Sequence, residues 1–318
     1  MTNVVVVLTL PQETRQRFET FLRGFPVSVT MLDHHTKLAA MIEEVDVLMS
    51  FGRQLGPEAD RIIARAKRLQ WIQCLGTGLD NIIDLPSLRR AVIVTAVRGI
   101  HGSGVSEAIF LAMLALTRDL PRSIRAQQRH AWDRFTARLV EGKTVGLLGV
   151  GTIAAALAPR CKAFGMTVVG FTETPRALAG FDRMRRRDEL RQVAPTLDYL
   201  VPLVPYAAAT HHLVDARVLA ALPPTAYLIN AGRGGIVDEA ALVAALQERR
   251  IAGAMMDVFA DEPLPPDHPF WGFDNVIITP HTAGFNDGYY DKAFPVIGAN
   301  LRAFLKGDYG AMINVAER

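Results

Sequence analysis

Residues 144–154 read TVGLLGVGTIA, and this stretch decides the fold. It opens with an apolar run typical of a buried β-strand. The run leads into the pattern G-x-G-x-x-G/A, where a helical pattern begins. Gly149 permits a tight turn, Gly151 lets the backbone approach a pyrophosphate, and Ala154 is small enough for the helix to pack on the strand. Because helix N-termini attract phosphates, the stretch predicts a dinucleotide-binding turn.

Apolar strands alternate with helical patterns on both sides of this turn. From the turn onward, strands are predicted at residues 144–148, 167–171, 199–204, 226–229, 252–256 and 276–279. Such a series of six with intervening helices makes a complete doubly wound dinucleotide-binding domain. The earlier series has strands at 4–10, 27–31, 45–49, 71–75 and 92–95, with helices at 12–23, 58–66 and 85–89. This βαβ rhythm indicates a second parallel sheet covered on both faces.

Two long helices are predicted outside the strands. An apolar one runs from residue 103 to about 120, and a last one at 287–305 can return the chain to the first sheet. The predicted fold class is α/β with two doubly wound parallel-sheet domains. A Rossmann cofactor domain, residues 99–284, is inserted into a flavodoxin-like substrate domain made of residues 1–98 and 285–318. We expect ligands at the carboxyl ends of the strands, in the cleft between the two sheets.

The composition suits a small-molecule enzyme better than a nucleic-acid-binding protein. The chain has 318 residues, half of them hydrophobic, with 35 basic and 32 acidic side chains. This balance attracts small anions rather than a nucleic acid backbone. The densest basic run, residues 183–187, has no interleaved aromatic side chains and is interpreted as a solvated strand edge. We expect no nucleic acid partner.

The sequence has no recognisable targeting, membrane or metal-binding pattern. The apolar run at 4–10 is too short for a membrane span and has no basic region before it, unlike a signal peptide. Cys74 and Cys161 lie far apart in unlike contexts, so neither a disulfide framework nor a metal cluster is predicted. These features predict a cytoplasmic protein without a metal cofactor or a membrane partner.

Three segments that directly follow predicted strands carry polar residues in turns. They read INAGRGG at 229–235, DVFADEPL at 257–264 and ITPHTAG at 278–284. The planar fork of Arg233 suits a carboxylate and a polarised carbonyl oxygen together. Taken singly, Arg233 could cap a helix, Glu262 could be a loop carboxylate, and His281 could be a structural histidine.

Together these segments resemble the signature segments of the D-2-hydroxyacid dehydrogenase family. That family includes glyoxylate and hydroxypyruvate reductases, phosphoglycerate dehydrogenases and D-lactate dehydrogenases. The resemblance extends to LGTGLDN at residues 75–81, to the phosphate loop and to Pro205 with Thr210. It implies an NAD(P)-dependent enzyme that interconverts a small 2-keto acid and its D-2-hydroxy acid. The coenzyme-binding residues that it implies are Gly149, Gly151, Thr152, Ile153, Val204, Pro205, Thr210, Ala231, Asp257 and His281.

The resemblance also implies a catalytic triad of Arg233, Glu262 and His281, with Asp257 near the nicotinamide amide. The chemistry supports these roles, because reducing a keto acid requires a hydride, a proton for the oxygen and a cation for the carboxylate. Histidine can give or take a proton near neutral pH, and a neighbouring carboxylate such as Glu262 favours its charged form. Arg233 would hold the substrate carboxylate and polarise the carbonyl group.

Two segments of the first domain are predicted to contact the substrate. The backbone N–H groups of Gly76, Thr77 and Gly78 would bind the second carboxylate oxygen as an anion nest. Residues 51–53, Phe-Gly-Arg, end a strand that is expected to face the same cleft. They are further candidates for substrate contact.

The choice of coenzyme depends on the end of the second Rossmann strand, where residues 168–176 read VVGFTETPR. An NAD enzyme of this fold usually places Asp or Glu there to bind the ribose 2′-hydroxyl, whereas an NADP enzyme offers a small residue and an arginine. Thr172 stands at the usual acidic position, Glu173 follows it, and Arg176 could bind a 2′-phosphate. Both NAD and NADP stay open. The adjacent carboxylate favours NAD.

Several alternatives remain at this point. Glu262 argues against formate dehydrogenase, which shares the fold but carries glutamine there. A truncated phosphoglycerate dehydrogenase stays possible, as does a corepressor-like protein that senses the dinucleotide and retains the triad. The segment FNDG at 285–288 is bulkier than usual for the family, so the preferred acid is open. Glyoxylate or hydroxypyruvate is favoured by analogy alone.

A homodimer is predicted from the apolar helix at 103–120 and the arm that contains Trp132 and Phe135. The resembling family pairs through these segments. An apolar helix flanked by an aromatic-bearing arm would otherwise expose more hydrophobic surface than a monomer usually does. The alternative is that both segments pack against their own domain.

Overall fold

The computed structural model describes residues 1–9 and 11–317. Its internal contacts divide the chain into two units. The first unit is Met1–Ile100 with Asp287–Arg318, and the second is His101–Asn286. Each unit contains one parallel β-sheet.

In its described residues, the first unit has a five-stranded sheet with α-helices packed on it. Its strands are β1 (Thr2–Val7), β2 (Val27–Leu32), β3 (Val47–Ser50), β4 (Trp71–Cys74) and β5 (Ile93–Ala96), and its helices are α1 (Gln12–Leu22), α2 (Ala59–Ile63) and α9 (Tyr289–Leu305). The strand order is β2-β1-β3-β4-β5. This is the flavodoxin-like order of a doubly wound sheet.

Side chains of β1 alternate between two buried faces of this sheet, as the period of a β-strand requires. Val4 and Val6 belong to the hydrophobic cluster formed with α1 and α9. Val5 and Val7 belong to the opposite cluster, which contains Ile62 of α2. A strand that is apolar on both faces explains the unbroken valine run in the sequence.

The second unit has a seven-stranded sheet. Its strands are β6 (Thr144–Leu148), β7 (Thr167–Thr172), β8 (Arg183–Arg186), β9 (Tyr199–Pro202), β10 (Tyr227–Asn230), β11 (Gly253–Met256) and β12 (Val276–Ile278). Its helices are α3 (Gly102–Thr117), α4 (Leu120–Gln128), α5 (Thr152–Ala163), α6 (Leu190–Val193), α7 (Ala216–Ala221) and α8 (Glu239–Gln247). The order β12-β11-β10-β9-β6-β7-β8 reverses direction between β6 and β9. That reversal is the topological switch point where doubly wound sheets bind ligands.

The basic run at 183–187 forms an edge strand over most of its length, as its interpretation as a solvated strand edge predicted. Residues Arg183–Arg186 form β8, which pairs with β7 and ends the sheet on that side. The sheet therefore has one strand more than the series predicted from the apolar runs. A strand with charged side chains carries no apolar alternation, which is why that series omitted it.

The helix predicted at residues 85–89 is wrong. Residues 86 and 87 form a turn and the others have irregular backbone, because Pro86 disfavours helical backbone at the residue before it. The Ser87 N–H and hydroxyl groups instead donate to the Asp60 carboxylate, at 2.7 and 3.2 Å. The segment is thereby fixed on α2 without a helix of its own.

The helix predicted from residue 103 to about 120 corresponds to α3 and is confirmed except at its C-terminal end. α3 ends at Thr117, and α4 begins at Leu120 after Asp119, whose φ of 49° lies in the left-handed region. A residue in this region breaks a right-handed helix. The sequence did not predict helix α4 beyond residue 120. Residues 131–139, which include Trp132, do form irregular backbone.

Smaller differences concern the ends of elements. The strand predicted at 4–10 ends at Val7, the one at 199–204 ends at Pro202, and the helix at 58–66 covers only Ala59–Ile63. Residue Leu10 lies outside the described residues. Among residues 1–9 and 11–317, no helix is both long and apolar enough to cross a membrane.

Candidate active site

The phosphate loop has the geometry that its glycines predict. Gly149 has a φ of 105°, and a Cβ atom there would lie 2.7 Å from the Val204 nitrogen. Glycine is therefore required both by the backbone conformation and by the close approach of the chain after β9. A Cβ atom at Gly151 would meet no atom within 4 Å, so the space before the loop is open.

The N-terminus of α5 faces this open space. No side chain caps the helix, whose N-cap residue is Gly151. The N–H groups of Thr152 and Ile153 in its first turn are thus available to an anion. Ala154 is fully buried, which lets α5 pack closely on its sheet. These residues fit the pyrophosphate of a dinucleotide.

The loop after β9 closes the same end of the sheet. The Thr210 hydroxyl donates to the Pro205 carbonyl at 2.8 Å and accepts from the Ala207 N–H, also at 2.8 Å. Thr210 is buried, whereas Pro205 is exposed. Thr210 therefore holds the loop in shape.

At the end of β7, the three predicted coenzyme-selecting residues stand in different surroundings. Thr172 is half-buried, while Glu173 and Arg176 are exposed. Glu173 forms an ion pair with Arg187, a residue that the sequence analysis did not select. The register of β7 and β8 places Thr172 beside Arg186, so the residues that follow them, Glu173 and Arg187, leave adjacent strands side by side.

His281 and Glu262 form a close pair. Their Nδ1 and Oε2 atoms are 2.7 Å apart. The Glu262 side chain is 11% exposed and that of His281 is 38% exposed. The other Glu262 oxygen accepts the Phe259 N–H at 3.0 Å. A half-buried carboxylate fixed by the backbone thus orients a more exposed imidazole.

Asp257 fixes the backbone that carries His281. Its carboxylate is buried and accepts hydrogen bonds from the Thr279 hydroxyl at 2.5 Å, the Thr282 N–H at 2.9 Å and the Ala283 N–H at 3.0 Å. Its carbonyl oxygen accepts the His281 N–H at 2.8 Å. His281 has a φ of 54°, a conformation that costs energy in a non-glycine residue. In the structure, Asp257 therefore supports the histidine loop, and its contact with the nicotinamide amide stays a prediction.

Arg233 follows β10 in extended backbone and is half-buried. The Asn230 side chain donates to the Arg233 carbonyl at 3.1 Å and accepts the Gly232 N–H at 3.1 Å, which fixes the turn. A Cβ atom at Gly234 would lie 2.0 Å from the Phe259 carbonyl carbon. The backbone beside Arg233 therefore touches the backbone that precedes Glu262, and only glycine allows this contact.

The pair of Glu239 and His268 supports the segment that carries Glu262. The sequence analysis did not indicate this pair. The Glu239 carboxylate accepts the Ala260 N–H at 3.1 Å and lies 3.2 Å from His268 Nε2. The Nδ1 atom of His268 accepts the Phe270 N–H at 3.2 Å. No spacing in the sequence indicates this contact, since α8 and the loop after β11 meet only in the fold.

His101 is a further histidine beside Arg233 that the sequence analysis missed. Its ring lies against Gly284, where a Cβ atom would come within 3.0 Å of His101 Cδ2. Burial, and secondly the charge of Arg233, lower the pKa of His101 to about 4. The His101 imidazole is therefore neutral at physiological pH. It does not add a second positive charge beside Arg233.

This pKa predicts a loss of stability in acid. Between about pH 4 and the usual histidine pKa of about 6.5, the unfolded chain binds a proton at His101 that the folded chain does not bind. The free energy of unfolding should therefore fall as the pH decreases through this window, by at most ~3 kcal/mol. Urea unfolding of wild type and His101→Asn at a series of pH values measures it. A difference between the two proteins that does not change with pH would contradict the prediction.

Within the first unit, the two segments predicted to contact substrate lie side by side. A Cβ atom at Gly76 would lie 3.3 Å from the Phe51 ring, and one at Gly52 would clash with the Asp80 carbonyl oxygen at 2.0 Å. The Thr77 hydroxyl donates to the Val97 carbonyl at 2.8 Å. Gly76 and Gly78 are half-buried, whereas Thr77 and Arg53 are exposed. The loop has a fixed shape and partly accessible backbone, as a binding nest requires.

Comparison with known proteins adds a match to the NAD-binding domain of D-isomer specific 2-hydroxyacid dehydrogenases over residues 110–283. The chain belongs to this family. It is accordingly an NAD(P)-dependent oxidoreductase of 2-hydroxy acids, and the predicted family and coenzyme class are confirmed.

Curated members of the D-isomer specific 2-hydroxyacid dehydrogenase family match along most of the chain. It is 33% identical over 266 residues to the glyoxylate reductase of Thermofilum pendens, covering 78% of this chain and 75% of that one. It is 34% identical over 281 residues to the (S)-sulfolactate dehydrogenase of Chromohalobacter salexigens, covering 87% and 90%. The D-3-phosphoglycerate dehydrogenase of Methanocaldococcus jannaschii is 31% identical over 276 residues. That match covers 86% of this chain and 52% of the relative, so the chain spans about half of that relative's length.

Solved structures of the family confirm the predicted fold class. A D-isomer specific 2-hydroxyacid dehydrogenase family protein from Aeromonas salmonicida has a TM-score of 0.87 at 30% identity, covering 99% of each chain. An NADPH-dependent glyoxylate/hydroxypyruvate reductase from Sinorhizobium meliloti, in complex with NADP and malonate, has a TM-score of 0.83 at 28% identity. That alignment covers 99% of this chain and 96% of the other.

Proposed function

We propose that this chain reduces a short 2-keto acid, of the glyoxylate or hydroxypyruvate type, to its D-2-hydroxy acid. The observation that carries the proposal is the His281–Glu262 pair, at 2.7 Å, in which the imidazole is the more exposed partner and the carboxylate side chain is 11% exposed. Such a pair is suited to donating a proton to a carbonyl oxygen. Formate dehydrogenase chemistry needs no acid or base, so this pair would have no use there.

The residues of the second unit would divide the work on the coenzyme and the substrate. When bound, the reduced nicotinamide supplies the hydride. The backbone of Gly151, Thr152 and Ile153 binds the pyrophosphate, where the space before the loop is open. Val204 and Ala231, at the ends of the neighbouring strands β9 and β10, lie at the same edge of the sheet and are the proposed contacts of the nicotinamide half.

His281 would act as the proton donor. Glu262 accepts a hydrogen bond from Nδ1, which leaves Nε2 as the ring nitrogen that gives its proton to the substrate oxygen. After the transfer the imidazole is neutral and Nδ1–H still donates to Glu262. In the direction of oxidation, the same nitrogen takes the proton from the hydroxyl group.

Arg233 would bind the substrate carboxylate and polarise the carbonyl group. A guanidinium group can donate two parallel hydrogen bonds to a carboxylate. In the first unit, the backbone N–H groups of Gly76, Thr77 and Gly78 form the proposed nest for a carboxylate oxygen. Phe285, which is 40% exposed and four residues after His281, is the proposed residue that limits the length of the substrate.

Steady-state turnover with NADH and NADPH tests the proposed reaction. Glyoxylate, hydroxypyruvate and a series of longer 2-keto acids are compared by the loss of reduced coenzyme absorbance. We expect the highest kcat/KM with the two short acids. Tight coenzyme binding without turnover of any acid would instead support a dinucleotide-sensing protein.

We also propose that the chain forms a homodimer through the second unit. α3 exposes Leu111 at 65%, and the arm that follows α4 exposes Trp132 at 93% and Leu139 at 58%. Phe135 in the arm is half-buried beneath Arg122, whose guanidinium carbon lies 4.5 Å from the ring centroid. Large apolar side chains exposed in adjacent segments are typical of an interface between copies.

The proposed dimer predicts what a charge introduced into its interface on α3 would do. Leu111→Asp should convert the dimer into a monomer, because an unpaired carboxylate would be buried at the interface. Sedimentation velocity at micromolar concentration measures the mass of both proteins. Trp271→Ala is the matched control, since Trp271 is 54% exposed outside these segments. Wild type that sediments with the mass of one chain would contradict the proposal.

A further inference from the structure

We propose that Arg187 is a specificity-determining residue that reduces the discrimination of Glu173 against NADPH. The inference rests on the proposed coenzyme site at the end of β7. It concerns a residue outside the set selected for that site, and it predicts an enzyme with only a modest preference for NADH.

The position of Arg187 follows from the order of the strands. β8 is the edge strand beside β7, and Thr172 pairs with Arg186 in its register. The next residue on each strand, Glu173 and Arg187, therefore leaves the sheet at the same level. Their side chains form an ion pair.

The two partners differ in exposure. The Arg187 side chain is 23% exposed and the Glu173 side chain is 61% exposed. The arginine is thus the more enclosed partner, and the carboxylate is the one that solvent or a ligand reaches first. A ribose 2′-hydroxyl can donate to this carboxylate while Arg187 stays behind it.

A 2′-phosphate has a different effect on the pair. Its two negative charges are repelled by Glu173 and attracted by Arg187. Because the charges of Glu173 and Arg187 nearly cancel at a short distance, the net repulsion is small. An arginine can also turn its planar fork from a carboxylate to a phosphate, since both accept two parallel hydrogen bonds.

Arg185 and Arg186 of the basic run have other acidic partners. Arg185 is 3.8 Å from Glu189, and Arg186 is 3.3 Å from Asp188. Those acidic residues follow Arg187 along the chain. Among the described residues, Arg187 is the arginine of this run whose ion pair is with Glu173, directly after β7, so its effect is separable from the general positive charge of the strand.

Equilibrium binding of NADH and NADPH to the full-length protein, followed by coenzyme fluorescence, tests the proposal. We compare wild type, Arg187→Gln, Glu173→Gln and the double variant. The control is Arg185→Gln, which changes the net charge by the same amount as Arg187→Gln. Arg187→Gln should weaken NADPH binding roughly tenfold and NADH binding less than about threefold. Glu173→Gln should shift the preference towards NADPH. The control should leave the ratio of the two dissociation constants within about twofold.

Competition by 2′,5′-ADP and 5′-AMP locates the effect at the 2′ position. Arg187→Gln should weaken the binding of 2′,5′-ADP and leave the binding of 5′-AMP unchanged. The circular dichroism spectrum and the Tm of the variant should match those of wild type. An unchanged ratio of NADH to NADPH affinity in Arg187→Gln overturns the role of Arg187, even if the enzyme turns over keto acids. Wild type that binds neither coenzyme overturns the coenzyme site and this inference together. Wild type that binds both coenzymes with the expected shift supports the inference even if no keto acid is turned over.

Discussion

Replacing His281 with alanine is expected to lower kcat for keto-acid reduction by about 10²- to 10⁴-fold, the usual effect of losing a general acid or base. The reason is that His281 is the partly exposed member of the pair, and its imidazole is oriented by the Glu262 carboxylate at 2.7 Å. Dissociation constants for the coenzyme should change little, because the phosphate loop and the end of β7 keep their contacts. Steady-state kinetics and coenzyme fluorescence measure the two effects separately.

Two variants make the His281 result interpretable. His34→Ala removes an exposed histidine of the first unit and should leave kcat near that of wild type. Glu262→Gln keeps the shape of the side chain but removes its charge, so it should lower kcat by less than His281→Ala does. A His281→Ala enzyme with near wild-type turnover would remove the histidine from the mechanism.

The sequence predicts most of the fold because its strands are buried on both faces. Runs such as the valines of β1 have no other stable location in a protein of this composition. Three features escape such reasoning, and the first is the edge strand β8, whose charged side chains carry no apolar alternation. The break between α3 and α4 depends on the left-handed backbone of one residue, Asp119. The turns around Ser87 depend on hydrogen bonds to Asp60, a residue distant in sequence.

The candidate site likewise contains residues that the local sequence indicates and residues that only contacts distant in sequence bring together. Arg233, Glu262 and His281 each lie shortly after a strand of one parallel sheet, so the sequence alone indicates that they meet at one edge. Arg187 and the Glu239–His268 pair act through elements that become neighbours only when the sheet forms. His101 precedes α3, and nothing in its sequence neighbours indicates that it faces Arg233. Residues of this second kind are predictable only from the strand order.

Replacing Arg233 with alanine is expected to lower kcat/KM by about 10³-fold or more, because one side chain serves both substrate binding and polarisation of the carbonyl group. Both kcat and KM should be affected, whereas His281→Ala should act mainly on kcat. Arg233→Lys keeps the charge but loses the planar fork, so it should recover only part of the loss. Arg217→Ala, at an exposed arginine of α7, is the control for a change in net charge.

Two further measurements connect the kinetics of Arg233→Ala to the structure. Added guanidinium ion should restore part of the activity of Arg233→Ala and none of the activity of His281→Ala, since it replaces only the missing cation. The pKa of His101 should rise from about 4, because the charge of Arg233 is the second cause that lowers it after burial. Titration of the histidine ring protons by NMR measures this pKa. Because burial is the larger cause, the pKa should stay below that of an exposed histidine. An unchanged His101 pKa together with unchanged kcat/KM would show that Arg233 neither faces His101 nor binds the substrate.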